Sequence, residues 1–479
     1  MPTRERRRIG ETGGPRAACV ALVAAILLSS VVAAGLAPGA VLAETPGASP
    51  SSVPSASPVP SPAATPVSSP TPAAVPASTA GPTVLGDAVT LYGRGYGHGV
   101  GMSQYGARGR ALAGEDTATI LAHYYQGAVL APIDPATRIR VLVLSKWLAS
   151  ESKPLVLYGR IVPWTIDGIA VTFPPDARLR LIPAPLPGAW RLVVDGPDGA
   201  VLFDGPAPAD FTVRGTTDEA VLQVWSKPTH YDRYRGTLRV MAMSATRVSV
   251  VNDVGLEQYL AGVVPVEMPS TWPATALGAQ AIAARSYAAR RLRPAVSYFD
   301  VPDNSTSQVY RGVLAEKPTT GAAIATTAAT VLMSGPTIIN ALFHSTGGGA
   351  TESNENVYTS TTGKRIARPV TYLRGSSDRA PDGTPFDARA PYAAWATRTY
   401  SRAQLSAWFA ADPRTNVGEL LALDLRDRGV SGRLASVTLI GTAGSRTVSG
   451  EIFRAVFNAG RPGSDPSLKS TLLDTAPIP

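Results

Sequence analysis

From about residue 138 to residue 255 the chain alternates apolar and polar positions in short runs separated by turn residues. RIRVLVL, KPLVLYG, GIAVTF, ARLRLIP, WRLVVDG, AVLFDG, LRVMAM and RVSVVND are rich in β-branched residues, and each predicts a strand. From Gly255 the pattern turns helical. ATALGAQAIAARSYAARRL (274–292) predicts a helix filled with Ala, Leu, Gln and Arg, capped by Thr271 and with Pro273 in its first turn. Earlier, DTATILAHYYQG predicts another, with Asp116 or Thr117 at its cap, Ile120, Leu121, Tyr124 and Tyr125 on its apolar face, and Gly127 ending it. Strands and helices do not alternate regularly, which predicts an α+β fold.

One stretch departs from both periods. YGRGYGHGVGMSQYGARG, Tyr92 to Gly109, has glycine at 93, 95, 97, 99 and 101. In a strand these would share one bare face, leaving Tyr92, Arg94, Tyr96, His98, Val100 and Met102 on the other. Glycine is kept in a strand where a backbone or a ligand must approach closely. The segment reads either as the lining of a cleft or as a glycine-rich turn that serves only packing.

Composition adds a compartment. Apolar residues make up 44% and charged residues 16% of the 479 positions, a globular balance with room for two or three domains. The first 43 residues form a targeting segment: Arg4, Arg6, Arg7 and Arg8, an apolar run from Ala17 to Leu36, and a small-residue site ending at Ala43. This is a signal peptide or, being long enough to span a bilayer, a membrane anchor. Residues 44–82 are almost wholly Pro, Ala, Ser, Thr and Val, which predicts a disordered linker. The only cysteine, Cys19, falls in the targeting segment. The exported part therefore has no disulfide, thiolate zinc site or cysteine nucleophile. Without the first 43 residues the formal charge drops from +9 to +6, which suits an anionic wall or membrane surface, or serves solubility. No basic cluster with interleaved aromatics follows, so nucleic acid is not an expected partner.

Candidate chemistry centres on EQYLAGVVPVEMPSTWP, just before the 274–292 helix. Glu267 lies among Val263, Val264, Val266, Met268 and Trp272 between flanking prolines. If they surround it in space, loss of hydration raises its pKa toward that of a general acid. The competing reading is a carboxylate that caps or compensates the next helix. His344, Ser345 and Thr346 precede three glycines in FHSTGGGATESNENVY and read as a polar turn lining a cleft. Ser345 lacks the nucleophile-elbow pattern, and Ser150 with Lys153 lacks the partners of a serine–lysine site. His98 and His344 form no recognised metal spacing and read as polar lining.

These motifs together resemble the SpoIID/LytB family of exported bacterial cell-wall proteins. RYRGTLRVMA, LEQYLAGVVPVEMPSTWPATALGAQAIAARSYA, SQVYRG, FHSTGGGATESNENV, YLRG, SGRLASVTLIG and GRGYGHGVGMSQYGA carry the resemblance, over roughly 85–128 and 233–475. It divides the chain into a glycine–histidine segment (83–130), a β-rich subdomain or insertion (131–232) and a SpoIID-like core (233–479). It implies an extracytoplasmic lytic transglycosylase that cuts peptidoglycan between N-acetylmuramic acid and N-acetylglucosamine, with Glu267 as acid and base. The alternative it implies is a non-catalytic, peptidoglycan-binding enhancer of a cell-wall amidase. Substrate-binding positions fall within the matching stretches: His98, Ser103 and Gln104 near the front, and Gln280, Arg285 and Tyr287 on the long helix. Ser307, Gln308 and Tyr310 follow in SQVYRG, and His344, Ser345, Thr346 and Glu352 in the glycine-rich turn. Were the reaction hydrolysis instead, a second carboxylate would stand within about 5–10 Å of Glu267, with Asp300, Asp303 and Glu352 as candidates.

The chain departs from the family twice. Some sporulation members carry a cysteine pair before QVY, associated with zinc; DVPDNSTSQVY has none, so neither metal nor other cofactor is expected. In those members the GHGVGMSQYGA segment also closes the domain at its C-terminal end, whereas here it stands at the front. That order implies a circular permutation, with the strand near Val89–Gly97 packed beside SLKSTLLD (467–474) and His98, Ser103 and Gln104 lining the cleft of Glu267.

Overall fold

The computed structural model describes residues 81–186, 188–293 and 295–478. The expected targeting segment, with Cys19, and nearly all of the expected linker lie outside the described residues. The described part is mixed α+β. No helix in it is long and apolar enough to cross a membrane.

All eight expected strands form. They belong to two large sheets whose facing sides share one core. The first runs Val301–Pro302, Arg138–Leu148, Arg247–Gly255, Thr237–Ala242, Asp210–Gly215, Trp164–Ile166, Ile169–Phe173, antiparallel except at its first pair. The second runs Val201–Ala207, Trp190–Asp195, Arg178–Pro183, Leu155–Arg160, Val221–Val224, Arg233–Tyr234. The first sheet thus takes strands from both sides of residue 232. Trp164, Phe173, Leu179, Leu192, Val240 and Val250 fill the space between the sheets, each contributing about 1.5–3 kcal/mol on burial.

Six helices position the site. Near the front come α1 (Gln104–Leu112), capped by Ser103, and α2 (Thr117–Tyr124), capped by Asp116. After the first sheet come α3 (Leu256–Ala261), the single turn α4 (Val264–Glu267), α5 (Ala274–Ala289) and α6 (Pro318–Thr326). Every residue of α5 from Ala276 to Ala288 is buried, as befits a helix of small residues at the centre of a fold. Its inner face joins the sheet core through Ala281, Ala284 and Ala288, and α3 joins through Tyr259 and Leu260. The expected cap is corrected: Pro273 holds the N-cap position with extended backbone, no side chain caps α5, and Thr271 lies outside it.

A further four-stranded sheet, Thr83–Val84, Leu420–Asp424, Ser436–Gly441, Gly444–Ser449, packs with helices Arg402–Ala410 and Gly450–Gly460 around Phe409, Phe453 and Phe457. The front of the chain ties this unit to the rest. Leu85, Val89 and Leu91 enter its core, whereas Val100, Met102 and Ala107 enter a cluster with Ile120, Tyr124 and Ile282.

The glycine-alternating segment runs between those two clusters. Tyr92–Gly93 pairs antiparallel with Leu473–Asp474, the expected neighbour, and on its other side with Trp395–Ala396. Beyond Gly93 the expected strand is not formed. Gly95, Gly97, Gly99 and Gly101 have φ of 76°, 105°, 85° and 72°, a region open to glycine and strained for other residues. Protein closes on the bare positions. The Arg433 guanidinium lies 2.5 Å from where a Cβ on Gly99 would sit, and the Leu342 carbonyl would overlap one on Gly101.

Candidate active site

Glu267 is the last residue of α4, a turn opened by Pro265 in its first positions. Met268 turns to extended backbone (φ −134°, ψ 132°) before Pro269, the conformation a following proline enforces. Val263, Val264 and Met268 are fully buried beneath, while Glu267 itself is half-buried and keeps an accessible face. Its Oε1 accepts the Val309 N–H at 3.1 Å, and it forms no salt bridge among the described residues. Burial pushes its carboxyl up to about 7, outweighing the Val309 hydrogen bond and the Arg311 charge, which both act downward. The capping alternative fails on geometry, since α5 receives no side-chain cap.

The segments named by sequence converge here. Gln104, the first residue of α1, donates from Nε2 to the Glu267 carbonyl (3.0 Å) and to Gln280 Oε1 (3.3 Å). Behind the carboxyl, Gln308 accepts from Tyr259 Oη (3.2 Å), and Tyr310 Oη donates to Asn252 Oδ1 (2.9 Å). These two are wall residues, both nearly sealed, that hold Val309 toward Glu267. Gln280 Nε2, Ser307 Oγ and His344 Nε2 are buried with no hydrogen-bond partner among the described residues. Unsatisfied buried polar groups are uncommon and call for a cause.

His98 and His344 lie together, ring centroids 5.4 Å apart. Strand Phe343–His344 runs parallel to Met102–Ser103, and Tyr96 bridges to Thr346. Burial first, then the Arg433 charge, pulls His98 down to about 4. Its Nδ1 accepts the Val100 N–H at 3.0 Å, and a second hydrogen bond reaches Phe343. His344 is driven low by burial and by His98, and its Nδ1 meets the Val100 carbonyl at 3.3 Å. Both rings are neutral near pH 7, so neither is a proton donor of imidazolium type. Ser103 accepts from Gly106 and Gly347, each at 3.1 Å, and Thr346 is fully buried. Ser345, half-buried, meets the Thr346 hydroxyl at 3.3 Å. Among the described residues no group of three or more His, Cys, Asp or Glu is arranged to hold a metal ion.

Several expected site residues are tied to other groups of the fold. The Arg285 side chain is fully buried, paired with Glu257 (2.6 and 2.8 Å) and bonded to the Thr330 carbonyl. Replacing it by methionine leaves Glu257 unmatched and should cost about 3 kcal/mol. A denaturant midpoint checks this, with glycan binding per folded molecule unchanged; lost binding at unchanged stability would put Arg285 on the ligand. Glu352 is likewise sealed: its oxygens accept from Ser353, Asn356, Val430 and twice from Ser431. Tyr287 is nearly buried under the Arg291 guanidinium. Of the other carboxylates proposed for hydrolysis, Asp300 is clamped by Arg140 at 2.7 Å, which holds it below the usual range against its burial, and Asp303 is paired with Lys227.

Sequence reasoning missed neighbours that the fold supplies. Tyr105 meets Trp272 edge to face at 4.7 Å, with the Arg108 guanidinium 5.5 Å over the indole. Arg311 is the cation nearest in effect to Glu267. The aromatic and basic residues within SQYGAR and SQVYRG were the available signal, and Trp272 was already placed beside Glu267 by sequence. Two surface depressions of about 400 Å³ lie elsewhere, one by Arg160, Asp176 and Leu314, the other by Thr361, Arg414 and Arg446.

A family profile described as SpoIID, stage II sporulation protein, matches residues 244–333, the stretch that holds Glu267. Over that stretch the chain carries the SpoIID family signature. An uncharacterized protein of Brachyspira hyodysenteriae is 35% identical over 127 residues, 26% of this chain and 34% of that one. The amidase enhancer of Bacillus subtilis is 58% identical over 41 residues, 9% of this chain and 6% of its own. Stage II sporulation protein D of the same organism is 49% identical over 49 residues, 10% and 14% of the two chains. The chain thus spans about a third or less of each of these relatives. No solved structure matches it.

Proposed function

We propose that this SpoIID protein is an exported peptidoglycan lytic transglycosylase with Glu267 as its single acid and base. The observation that carries the reading is a carboxyl held near neutrality by burial, free of any salt bridge among the described residues and partly open to solvent. Protonated Glu267 gives its proton to the glycosidic oxygen as the bond to the muramyl C1 breaks. The resulting carboxylate then takes the proton of the muramyl C6 hydroxyl, whose oxygen closes on C1 to form the 1,6-anhydro ring. The same group is regenerated, and no water enters. That economy suits a site where Asp300, Asp303 and Glu352 are all committed to other partners.

Gln104, Ser307 and His344 are the groups proposed to hold the glycan, and Gln280, fully buried, braces Gln104 from behind. In this reading the forward placement of the glycine–histidine segment is a permutation, and its pairing with Leu473–Asp474 supports that. The 58% identity to a stretch of a protein named an amidase enhancer favours one second reading: a wall-binding partner of a cell-wall amidase that cuts nothing. Purified glycan strands digested with the protein separate the two. Anhydro-muramyl ends, seen by mass spectrometry, carry the first; wall binding without such ends carries the second.

A further inference from the structure

One loop of the β-rich half closes on the segment that borders Glu267. Val224 N–H bonds to the Asp232 carbonyl at 2.8 Å, which closes residues 225–231 into a compact loop at the edge of the second sheet. Lys227 Nζ pins it from within, to Tyr234 Oη (2.5 Å) and to the Asp303 carboxylate. Asp303 belongs to the segment that continues to Val309 and Arg311. A second clamp lies outside: Arg311 Nη1 meets Tyr231 Oη at 3.2 Å, and the guanidinium stands 4.4 Å over the Tyr231 ring. The Arg311 N–H is fixed on the Gly262 carbonyl at 3.0 Å.

The chemistry left open is specific. Among the described residues Arg311 forms no salt bridge, although Arg140, Arg235, Arg285 and Arg374 all do. The carboxyl that feels its charge is Glu267. A planar guanidinium braced on an aromatic ring keeps paired N–H groups for a carboxylate. The same loop shows an indole, Trp225, 58% exposed, and His230 against Tyr231 at 3.9 Å with the rings tilted by 40°. Exposed rings with one polar edge are common where ligands bind.

We propose that this loop and Arg311 form a further subsite for an acidic amino-sugar residue of the glycan, Arg311 taking its carboxylate and Tyr231 bracing Arg311. The inference rests on the reading that the ligand is peptidoglycan glycan. The carboxylate is either the free lactyl group of a muramyl residue or one carried by an attached peptide.

Binding by calorimetry tests this apart from catalysis. The probes are a GlcNAc–MurNAc tetrasaccharide with free lactyl groups, the same sugar carrying its short peptides, and uncharged chitotetraose. Arg311→Gln should weaken at least one carboxylated probe about ten- to hundredfold and chitotetraose less than about twofold. Arg311→Lys should recover part of that loss, and Tyr231→Phe should lose less than Arg311→Gln. Dependence on Arg311 with the free-lactyl probe alone assigns the lactyl carboxylate; dependence only with the peptide-bearing probe assigns the peptide. Equal weakening of all three, or no weakening, overturns the proposal, as does absence of binding by the wild type. Arg311-dependent binding without anhydro products would sink the transglycosylase reading and leave this subsite standing.

Discussion

Glu267→Gln should yield a folded protein that makes no detectable anhydro-muramyl ends. A positioned general acid contributes about 10²–10⁴ in rate, and in the proposed mechanism one group serves both proton transfers, so no other residue would replace it. Glutamine keeps the size of the side chain and an oxygen for the Val309 N–H. The pH dependence follows from the direction of the shift. In the proposed mechanism Glu267 acts first as an acid, so turnover should fall as pH rises through about 7. Stability has a matching sign. The folded state holds the proton more tightly than the unfolded chain, whose carboxyl has an ordinary value. The contribution to stability is full below that ordinary value and is lost as pH rises toward and through about 7. The glutamine variant, which has no such proton to lose, should therefore gain Tm relative to wild type between about pH 5 and pH 8. Anhydro ends produced at the wild-type rate by the variant would remove Glu267 from the mechanism.

Several strands of the β-rich half were legible because one face is buried and the other wetter, as in Leu155–Arg160 and Arg178–Pro183, and others, such as Arg247–Gly255, through their runs of β-branched residues. Val221–Val224 was missed for the opposite reason: all four residues are buried, so no alternation remains to read. Asp210–Gly215 was hidden by its charged and glycine ends. Around the site, the sequence pointed to Glu267 because its apolar and proline neighbours are local. It could not distinguish polar residues that face a ligand from those that staple the fold. Arg285 finds Glu257 28 residues away, and Glu352 finds Ser431 79 residues away. Only the folded chain brings these partners together. The same holds for Arg311, whose brace, Tyr231, comes from the region with least family signature. The glycine alternation misled through its period. Spacing by two imitates a strand, but positive φ at Gly95, Gly97, Gly99 and Gly101 breaks the pleat on which that reading depends.

That segment carries the largest expected effect on stability. Gly101→Ala should unfold the protein or cost it about 2–5 kcal/mol, the sum of left-handed backbone strain and overpacking. At φ 72° an alanine is strained before any contact is counted, and its Cβ would overlap the Leu342 carbonyl. That carbonyl cannot retreat: it accepts from Met102 N–H at 3.1 Å and from Tyr125 Oη at 2.8 Å. Pushing it away breaks one of these bonds in a buried place and loosens the pairing of Met102–Ser103 with Phe343–His344. The start of α1 would move with it, and so would the Gln104 bond to Glu267. Activity should therefore fall even under conditions where the variant stays folded. Gly114→Ala is the matched control. Its φ is 93° and no atom lies within 4 Å of the added methyl, so it should show the backbone strain alone, about 1–2 kcal/mol, with activity per folded molecule unchanged. Chemical denaturation of the pair measures the difference; equal losses in the two variants would show that the contact with Leu342 is not what fixes glycine at 101.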